Sequence, residues 1–347
     1  MLRVHFLNVG HGDCTIIQHH SGRLTMVDIN TSQNYDQQSF NELLAEEANR
    51  LVDYATLSSL LGGSPYPPAT GTSGLSDFAT LSSLVRHLHY QPGYFEALEK
   101  AKTELTDPIA FMRRHYPGQT LWRFVLTHPD LDHMRGIKRL YETIGFHNFW
   151  DTTHTKKISE FRSDDDKEDW EFYQQLRNGA FGSYARLYTR GNQAYAFARD
   201  EYGNPGGDCI EILSPTPDLV RSCNAAQKSN DLSLVLRLWH AGKSILLPGD
   251  AEDEAWKTMV DYYGVHLKSD FLKASHHGRD SGYHLAAVQR ITPCLTFVSV
   301  GRKPDTDASS KYRQQCGRVA STRYHGNIRL EIYDDGQYGW FVDRNHD

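Results

Sequence analysis

The fold is decided by residues 127–136, which read Thr-His-Pro-Asp-Leu-Asp-His-Met-Arg-Gly. Within six residues they carry four side chains able to bind a metal ion: His128, Asp130, Asp132 and His133. Residues 121–126, just before, alternate and are rich in β-forming side chains, which predicts a strand. Residues 137–144, just after, have a helical pattern. We therefore expect the cluster on a turn at the end of a strand, where loops on a rigid sheet commonly carry chemistry.

A solvated loop with a helix N-cap is the plainer interpretation of this turn. An N-cap explains one Asp directly before the helix. It does not explain two histidines and two aspartates together within residues 128–133. The pattern therefore favours a set of metal ligands.

Two later stretches have the same form, an apolar strand followed by a short polar turn. Residues 244–248 lead into Gly249-Asp250-Ala251-Glu252, and residues 270–274 lead into Ser275-His276-His277-Gly278. Each turn alone is a weak signal, because an Asp after a Gly usually builds a turn and paired histidines are common on surfaces. All three turns in this order form a specific pattern.

Read as HxDxDHxxG, GDAE and SHHG, the three motifs resemble the metallo-β-lactamase superfamily. Residues 9–14 (Val-Gly-His-Gly-Asp-Cys) together with residues 26–28 (Met-Val-Asp) resemble its opening hairpin. The motif sequences are most similar to those of the branch that contains the hydrolase domain of ComEC, the bacterial DNA-uptake channel. The resemblance covers residues 1–30 and about 120–335. It implies an α/β fold, a four-layer αβ/βα sandwich formed by residues 1–347 as a single domain.

Residues 31–118 interrupt this pattern. They contain helical stretches around a segment rich in Gly, Ser, Pro and Thr. We interpret them as a mainly helical insertion. Two roles stay open: a lid over the site, or a packing element with no part in the chemistry.

The resemblance also implies roles for the ligands. His128 and Asp130 would hold one metal ion, and Asp132 and His133 would lie on the side of a second ion. Asp250 would bridge the two ions. His276 or His277 would complete the second set, and the sequence does not decide between them.

The chain departs from the common pattern of the superfamily at two places. Many members have a histidine at the position of Asp130. A carboxylate there makes the site harder, which shifts its preference from Zn²⁺ towards Mn²⁺ or Mg²⁺. The histidine expected between the first loop and Asp250 is not evident. Asn230 or Asp231 is the candidate substitute, and both are also candidates for orienting the ligands from behind. One strong and one weak site, with one or two ions per chain, are expected.

The implied reaction is hydrolysis by a metal-activated water. Asp132 would orient that water or accept its proton. Lys273 would face the site and balance phosphate charge, unless it is a lysine at the edge of a strand in solvent. His11 and Asp13 would orient the ligands, or would only build a turn between Gly10 and Gly12.

The signal for the substrate is weaker. Residues 311–329 contain five basic side chains and no acidic one, with tyrosines between them. Such a stretch can follow a nucleic-acid backbone and stack bases. The predicted substrate contacts are Lys311, Arg313 and Tyr324. The alternative is an ordinary basic helix face.

The composition suits a globular protein, with 39% hydrophobic and 23% charged residues. A net charge of −6 argues against a generally basic nucleic-acid coat, but not against a local basic groove. Five scattered cysteines without a CxxC pair indicate a reducing compartment. We see no signal peptide and no apolar run long enough to span a membrane, so we expect a cytoplasmic protein without membrane contact.

Three functions compete. The first is a metal-dependent phosphodiesterase, a nuclease that cleaves DNA. The second is a hydrolase of a small molecule, such as a cyclic nucleotide, a lactam or a thioester. The third is an inactive metal-binding module that acts with partner proteins in a larger complex. Fold alone does not choose among them.

Overall fold

The computed structural model describes residues 1–31, 105–182, 185–192, 207–301 and 304–344. All of these residues belong to one compact unit. The predicted insertion at about 31–118 lies mostly outside the described residues, and its helices and its role as a lid stay predictions. At its end, residues 108–115 form a helix whose Ile109 and Met112 are buried.

Two sheets form the centre of the unit. The strands of the first sheet are β1 (Leu2–Phe6), β2 (Thr15–Gln18), β3 (Leu24–Val27), β4 (Leu121–Val125), β5 (Phe146–Asp151), β6 (Arg186–Leu187), β13 (Ile328–Ile332) and β14 (Tyr338–Val342). Those of the second sheet are β7 (Ile210–Ser214), β8 (Val235–His240), β9 (Lys243–Leu247), β10 (Phe271–Lys273), β11 (Leu295–Val298) and β12 (Val319–Ser321). The orders are β14-β13-β1-β2-β3-β4-β5-β6 and β12-β11-β10-β9-β8-β7.

Helices cover the outer faces of both sheets. Those described are α1 (Pro108–His115), α2 (Ile137–Thr143), α3 (Asp164–Arg177), α4 (Pro217–Ala226), α5 (Asp253–Tyr263), α6 (Leu285–Ile291), α7 (Ser309–Gln315) and α8 (Thr322–His325). One apolar core lies between the sheets, a second joins α1–α3 to the first sheet, and a third joins α4–α7 to the second sheet. The predicted four-layer αβ/βα sandwich is confirmed.

Alternation along the strands creates these layers, because successive side chains point to opposite faces of a sheet. On β1, Val4 and Phe6 face the second sheet, and the ring of Phe6 stacks on Phe297 of β11 with centroids 4.6 Å apart. His5 points the other way, towards α1, and its Nε2 lies 2.9 Å from the hydroxyl of Tyr116. One strand therefore serves two cores.

Residues 155–171 form a run rich in charged side chains. Part of it forms α3, which packs through buried residues including Trp170. Asp169 accepts the backbone N–H of Gly136 at 2.6 Å, and Asp166 accepts from Arg135 Nε at 2.6 Å. These two aspartates therefore fix the junction between the loop that follows β4 and helix α2.

Candidate metal centre

Four histidines converge on one carboxylate oxygen. The Nε2 atoms of His133, His277, His276 and His128 lie 3.3, 3.5, 3.7 and 3.9 Å from Oδ2 of Asp250. The loops after β4, β9 and β10 carry these side chains. Strand pairing brings the loops to the same end of the sandwich, so the three predicted motifs do meet in space.

The other ring nitrogen of each histidine is anchored. The Nδ1 partners are Thr127 Oγ1 for His128 (3.1 Å), Asp28 Oδ2 for His133 (2.8 Å), Glu252 Oε1 for His276 (2.8 Å) and the carbonyl of Ser299 for His277 (3.1 Å). The Thr127 hydroxyl donates to Asp28 Oδ2 at 2.8 Å, so it accepts from His128. With each Nδ1 donating, the Nε2 atom of each ring keeps its lone pair when the ring is neutral.

This arrangement fits a cation. Lone pairs and a carboxylate that face one another repel unless positive charge lies between them. The buried Nε2 atoms of His128, His133 and His277 have no hydrogen-bond partner in the part of the chain that is described. Donors about 2.1 Å from a tetrahedral ion lie roughly 3.4 Å apart, close to the separations around Asp250. One set of four, Asp13, His133, Asp250 and His277, has ligand atoms within 4.8 Å of one another.

The electrostatics of the centre also favour added positive charge. Burial opposes protonation of His133, but Asp250 and Asp28 outweigh it and raise the pKa of the imidazole well above its usual value. Burial likewise opposes protonation of His277, and Asp250 and Asp13 more than offset it, so the pKa of His277 is raised. Burial would raise the pKa of Asp250, but His133 and His277 outweigh it and hold that pKa far below the usual range.

Asp132 lies on the more open side of the cluster. Its side chain is 26% exposed and its Oδ2 lies 3.5 Å from His277 Nε2, whereas Asp250 is only 4% exposed. Burial would raise the pKa of Asp132, but the nearby His277 and His133 outweigh it and lower the pKa. The carboxylate is therefore ionised and accessible.

Asp130, predicted as a metal ligand, forms an ion pair with Lys156. Lys156 Nζ lies 2.6 Å from Asp130 Oδ1, and the Ser229 hydroxyl donates to the same oxygen at 3.0 Å. The Nε2 atom of His128 is 3.6 Å away from it. Burial would raise the pKa of Asp130, but His128 and Lys156 lower it.

Asp13 and Lys273 form an ion pair directly beneath the centre. Lys273 Nζ lies 2.5 Å from Asp13 Oδ2, and both side chains are buried. The Asp13 carboxylate reaches to 4.0 Å from His133 Nδ1 and 3.9 Å from His277 Nδ1. The charge of Lys273 is thus directed at Asp13, and not at the open side of the site as we predicted for phosphate. Asp13 is closer to the ligands than predicted.

The loop between β1 and β2 packs tightly against the metal-binding loop. The N–H of Asp13 donates to the carbonyl of Asp132 at 3.3 Å. A side chain on Gly12, where φ is +149°, would come within 2.5 Å of that carbonyl and of Asn30. His11 Nε2 lies 3.3 Å from Arg279, and its ring is 5.3 Å from that of His277. His11 therefore borders the centre.

The predicted substitutes for the missing histidine do not reach Asp250. Asp231 accepts the backbone N–H groups of Glu252 and Ala255 at 3.0 Å each, so it holds the start of α5. Asn230 donates to Glu252 Oε1 at 3.3 Å. His276, which Glu252 anchors, approaches Asp250 instead. Both members of the His276-His277 pair therefore face the same carboxylate.

Three side chains that shape the centre, Asp28, Glu252 and Lys156, were given no role from the sequence, although Asp28 and Glu252 lie within the quoted motifs. Asp28 directly follows β3 and has a left-handed backbone, with φ of 57°. Its carboxylate accepts the N–H of Thr127 at 2.8 Å in addition to contacting His133. The sequence signal that could have pointed to Asp28 is its position as an acidic residue directly after a buried strand.

The predicted substrate contacts lie elsewhere. Lys311 and Arg313 belong to α7, and Tyr324 belongs to α8. Within the described ranges, no hydrogen bond or ion pair joins these three side chains to the four histidines or Asp250.

No family model matches the sequence. A stretch of 114 residues is 25% identical to the uncharacterized protein YcaI of Escherichia coli strain K12. This match covers 31% of the chain and 15% of the length of YcaI.

Several solved structures are similar in fold. Igni18, a metallo hydrolase of the archaeon Ignicoccus hospitalis, is 11% identical, with 99% of this chain and 100% of that chain covered and a TM-score of 0.43. YhfI of Bacillus subtilis, a metallo-β-lactamase fold protein, is 10% identical over 94% and 99% of the two chains, with a TM-score of 0.40. CmlA, a diiron β-hydroxylase of Streptomyces venezuelae, is 12% identical over 95% and 54%, with a TM-score of 0.42.

None of the helices in the described part of the chain is both long enough and apolar enough to cross a bilayer.

Proposed function

We propose that this protein is a metal-dependent phosphodiesterase of the metallo-β-lactamase superfamily, and that its substrate is nucleic acid. One observation carries the proposal: four histidines with anchored Nδ1 atoms turn their Nε2 atoms towards Oδ2 of Asp250 at 3.3–3.9 Å. Such convergence is typical of a metal centre, in which carboxylates and carbonyls fix the ligand histidines from behind.

The ligands divide into two groups around Asp250. His133, His277 and Asp132 lie on one side, supported by Asp28 and Asp13. His128 and Asp130 belong to the other side, and we assign His276 to it in place of the histidine that the sequence lacks. Each group has one aspartate of its own, Asp132 or Asp130, beside the shared Asp250, which favours Mn²⁺ or Mg²⁺ beside Zn²⁺.

When bound, a divalent ion supplies Lewis-acid chemistry, because it stabilises negative charge on phosphoryl oxygens and lowers the pKa of water. The chain's own contribution to the reaction comes from Asp132. Its ionised carboxylate is exposed to the site and can orient the attacking water and accept its proton at Oδ2. The Asp13–Lys273 ion pair packs behind the rings of His133 and His277.

A phosphodiester is favoured over a lactam or a thioester because of the charges around the site. Lys156 lies beside Asp130 with 27% of its side chain exposed, and an ion bound to Asp130 would leave this ammonium unpaired at the rim where an anionic substrate approaches. This basic rim and the carboxylate-rich ligands suit phosphoryl transfer, in which charge stabilisation dominates. DNA is the proposed substrate in particular, by similarity of the motifs to the ComEC branch.

The test is a hydrolysis panel on the purified protein. Single-stranded DNA, duplex DNA, RNA and bis-p-nitrophenyl phosphate are incubated with Mn²⁺, Mg²⁺ or Zn²⁺, with EDTA as the block. Asp250→Ala, purified in parallel, controls for contaminating nucleases. We expect Mn²⁺-supported cleavage of DNA that EDTA and Asp250→Ala abolish. Absence of hydrolysis of every substrate with every ion, in a protein that binds the ions, contradicts the proposal.

A further inference from the structure

A cleft of about 660 Å³ lies between α7, the segment from β12 through α8, and β14. No part of the proposed metal centre lines it. Its charged and aromatic lining includes Arg313, Arg318, Arg323, Tyr324 and Trp340. Among the described residues that line it, Asp307 is the one acidic side chain, and that carboxylate already accepts the N–H and hydroxyl of Ser309. The cleft is therefore basic.

Two arginines of the cleft each have the guanidinium group near an aromatic ring. The guanidinium carbon of Arg318 lies 5.6 Å from the centroid of the Trp340 ring, and that of Arg323 lies 4.7 Å from the Tyr324 ring. Arg313 and Arg318 are exposed, and neither forms an ion pair with a carboxylate of the described ranges. Their charge is thus available to an anionic ligand.

The cleft adjoins the metal centre through shared segments. Val300 lines the cleft and directly follows Ser299, whose carbonyl is 3.1 Å from His277 Nδ1. On the other wall, the N–H of Ala308 donates to the carbonyl of Gly278 at 2.8 Å, and that of Asp280 donates to Thr306 at 2.7 Å. Both contacts fall within three residues of His277, so the walls of the cleft and the loop that carries His277 are directly connected.

We propose that this cleft binds single-stranded nucleic acid. The inference rests on the proposed function and gives it a substrate class and a binding site. Exposed guanidinium groups bind phosphates, and aromatic rings stack with bases that are free of a partner strand. A duplex keeps its bases paired, so it cannot use Tyr324 and Trp340 in this way. The net charge of −6 confines such binding to a local basic surface.

Lys311 provides a matched control. It lies on α7, two residues before Arg313, and carries the same charge. Its Nζ is 2.9 Å from Asp280 Oδ1, and its side chain does not line the cleft. Charge reversal at Lys311 changes the net charge of the protein as much as reversal at Arg313 does, without changing the cleft.

The experiment measures binding of a fluorescein-labelled dT12 oligonucleotide to the full chain in EDTA, by fluorescence anisotropy at several salt concentrations. Arg313→Glu with Arg318→Glu is expected to weaken binding at least tenfold. It should also make the dependence of log Kd on log salt shallower by about 1.4, since each lost phosphate contact removes roughly 0.7. Arg313→Glu alone should weaken binding about fivefold, whereas Lys311→Glu, which changes the net charge equally, should stay within about twofold of wild type. Arg313→Gln, a milder change with an expected loss of about threefold, serves if the double variant does not fold.

Binding of dT12 by the double variant at wild-type affinity would overturn the inference, as would equal losses in Lys311→Glu. Competition by unlabelled duplex DNA as strong as by the single strand would also overturn it. The hydrolysis panel described above, run on the wild type, separates the two proposals. If hydrolysis of every substrate in it fails while dT12 binds through the arginines, the proposed function is wrong and the cleft stands. If hydrolysis occurs but dT12 does not bind, the cleft assignment is wrong.

Discussion

The Nδ1 atom of His133 lies 2.8 Å from Oδ2 of Asp28, although the two residues are 105 positions apart in the chain. The contact joins the end of β3 to the loop after β4, and the parallel pairing of these strands brings it about. Asp28 fixes the ring so that Nε2 faces Asp250. A residue outside the three motifs thus sets the direction of a motif histidine.

Replacing Asp28 by Asn is therefore expected to weaken ion binding by roughly 10–100-fold, the usual effect of losing a carboxylate behind a ligand histidine. Titration calorimetry with Mn²⁺ measures this. Asp208→Asn is the control, because Asp208 is a buried carboxylate that pairs with Arg123. The control should lower thermal stability and leave the affinity for the ion unchanged. Unchanged affinity in Asp28→Asn would contradict the role of the Asp28 carboxylate behind His133.

Asp132→Asn is expected to lose turnover by about 10²-fold or more, because an amide cannot accept a proton from water. Four histidines and Asp250 remain in this variant, so it should still bind an ion. Steady-state hydrolysis of bis-p-nitrophenyl phosphate and calorimetry together give the result. Asp218→Ala, at an exposed carboxylate on α4, is the control. Full activity in Asp132→Asn would remove Asp132 from the reaction.

The raised pKa values of His133 and His277 predict a dependence on pH. Protonated imidazole cannot bind a metal, so the affinity for the ion should fall as the pH is lowered through these values. Without an ion, the two raised pKa values stabilise the fold at low pH, and this stability is lost as the pH rises through them.

Thermal melts in EDTA and in Mn²⁺ between pH 6 and pH 9 test both effects. The increase in Tm on adding the ion should grow with pH, because the ion then replaces protons that the imidazoles have lost. An increase in Tm that is the same at both ends of the range would argue against ion binding by His133 and His277.

The position of Lys156 leads us to expect that two ions would bind with unequal affinity. Its ammonium lies 2.6 Å from Asp130 Oδ1, so an ion on the side of His128 and Asp130 must compete with a charge that is already there. Lys156→Met should raise the affinity for the second ion, measured as stoichiometry by elemental analysis after equilibrium dialysis. Lys157→Met, at the exposed neighbouring position, should have no effect. Two ions of equal affinity in the wild type would contradict this role.

Local patterns were sufficient to predict the layers of the fold and the loops that carry the site. The alternation at residues 121–126 and the polar turn after it gave the strand and the position of His128 and His133. The polar turns after residues 244–248 and 270–274 likewise follow strands, β9 and β10.

The supporting contacts could not be predicted in the same way. Lys273 has the same local sequence whether it faces solvent or Asp13, and the choice depends on a contact 260 residues away. Asp231 precedes a strand, as a ligand of this fold would, yet it holds α5 because the backbone N–H groups of Glu252 and Ala255 lie within its reach. Long-range pairing decides these roles, and local patterns in the sequence do not reveal it.

The central claim is that Asp250 and the histidines around it bind a divalent ion, and calorimetric titration of the EDTA-treated protein with Mn²⁺ tests it most directly. We predict at least one ion per chain in the wild type. Asp250→Ala should lose more affinity than the roughly 10–100-fold expected for a residue that only orients a ligand. A wild-type protein that binds no Mn²⁺ or Zn²⁺, or an Asp250→Ala variant that binds as tightly as wild type, would contradict the claim.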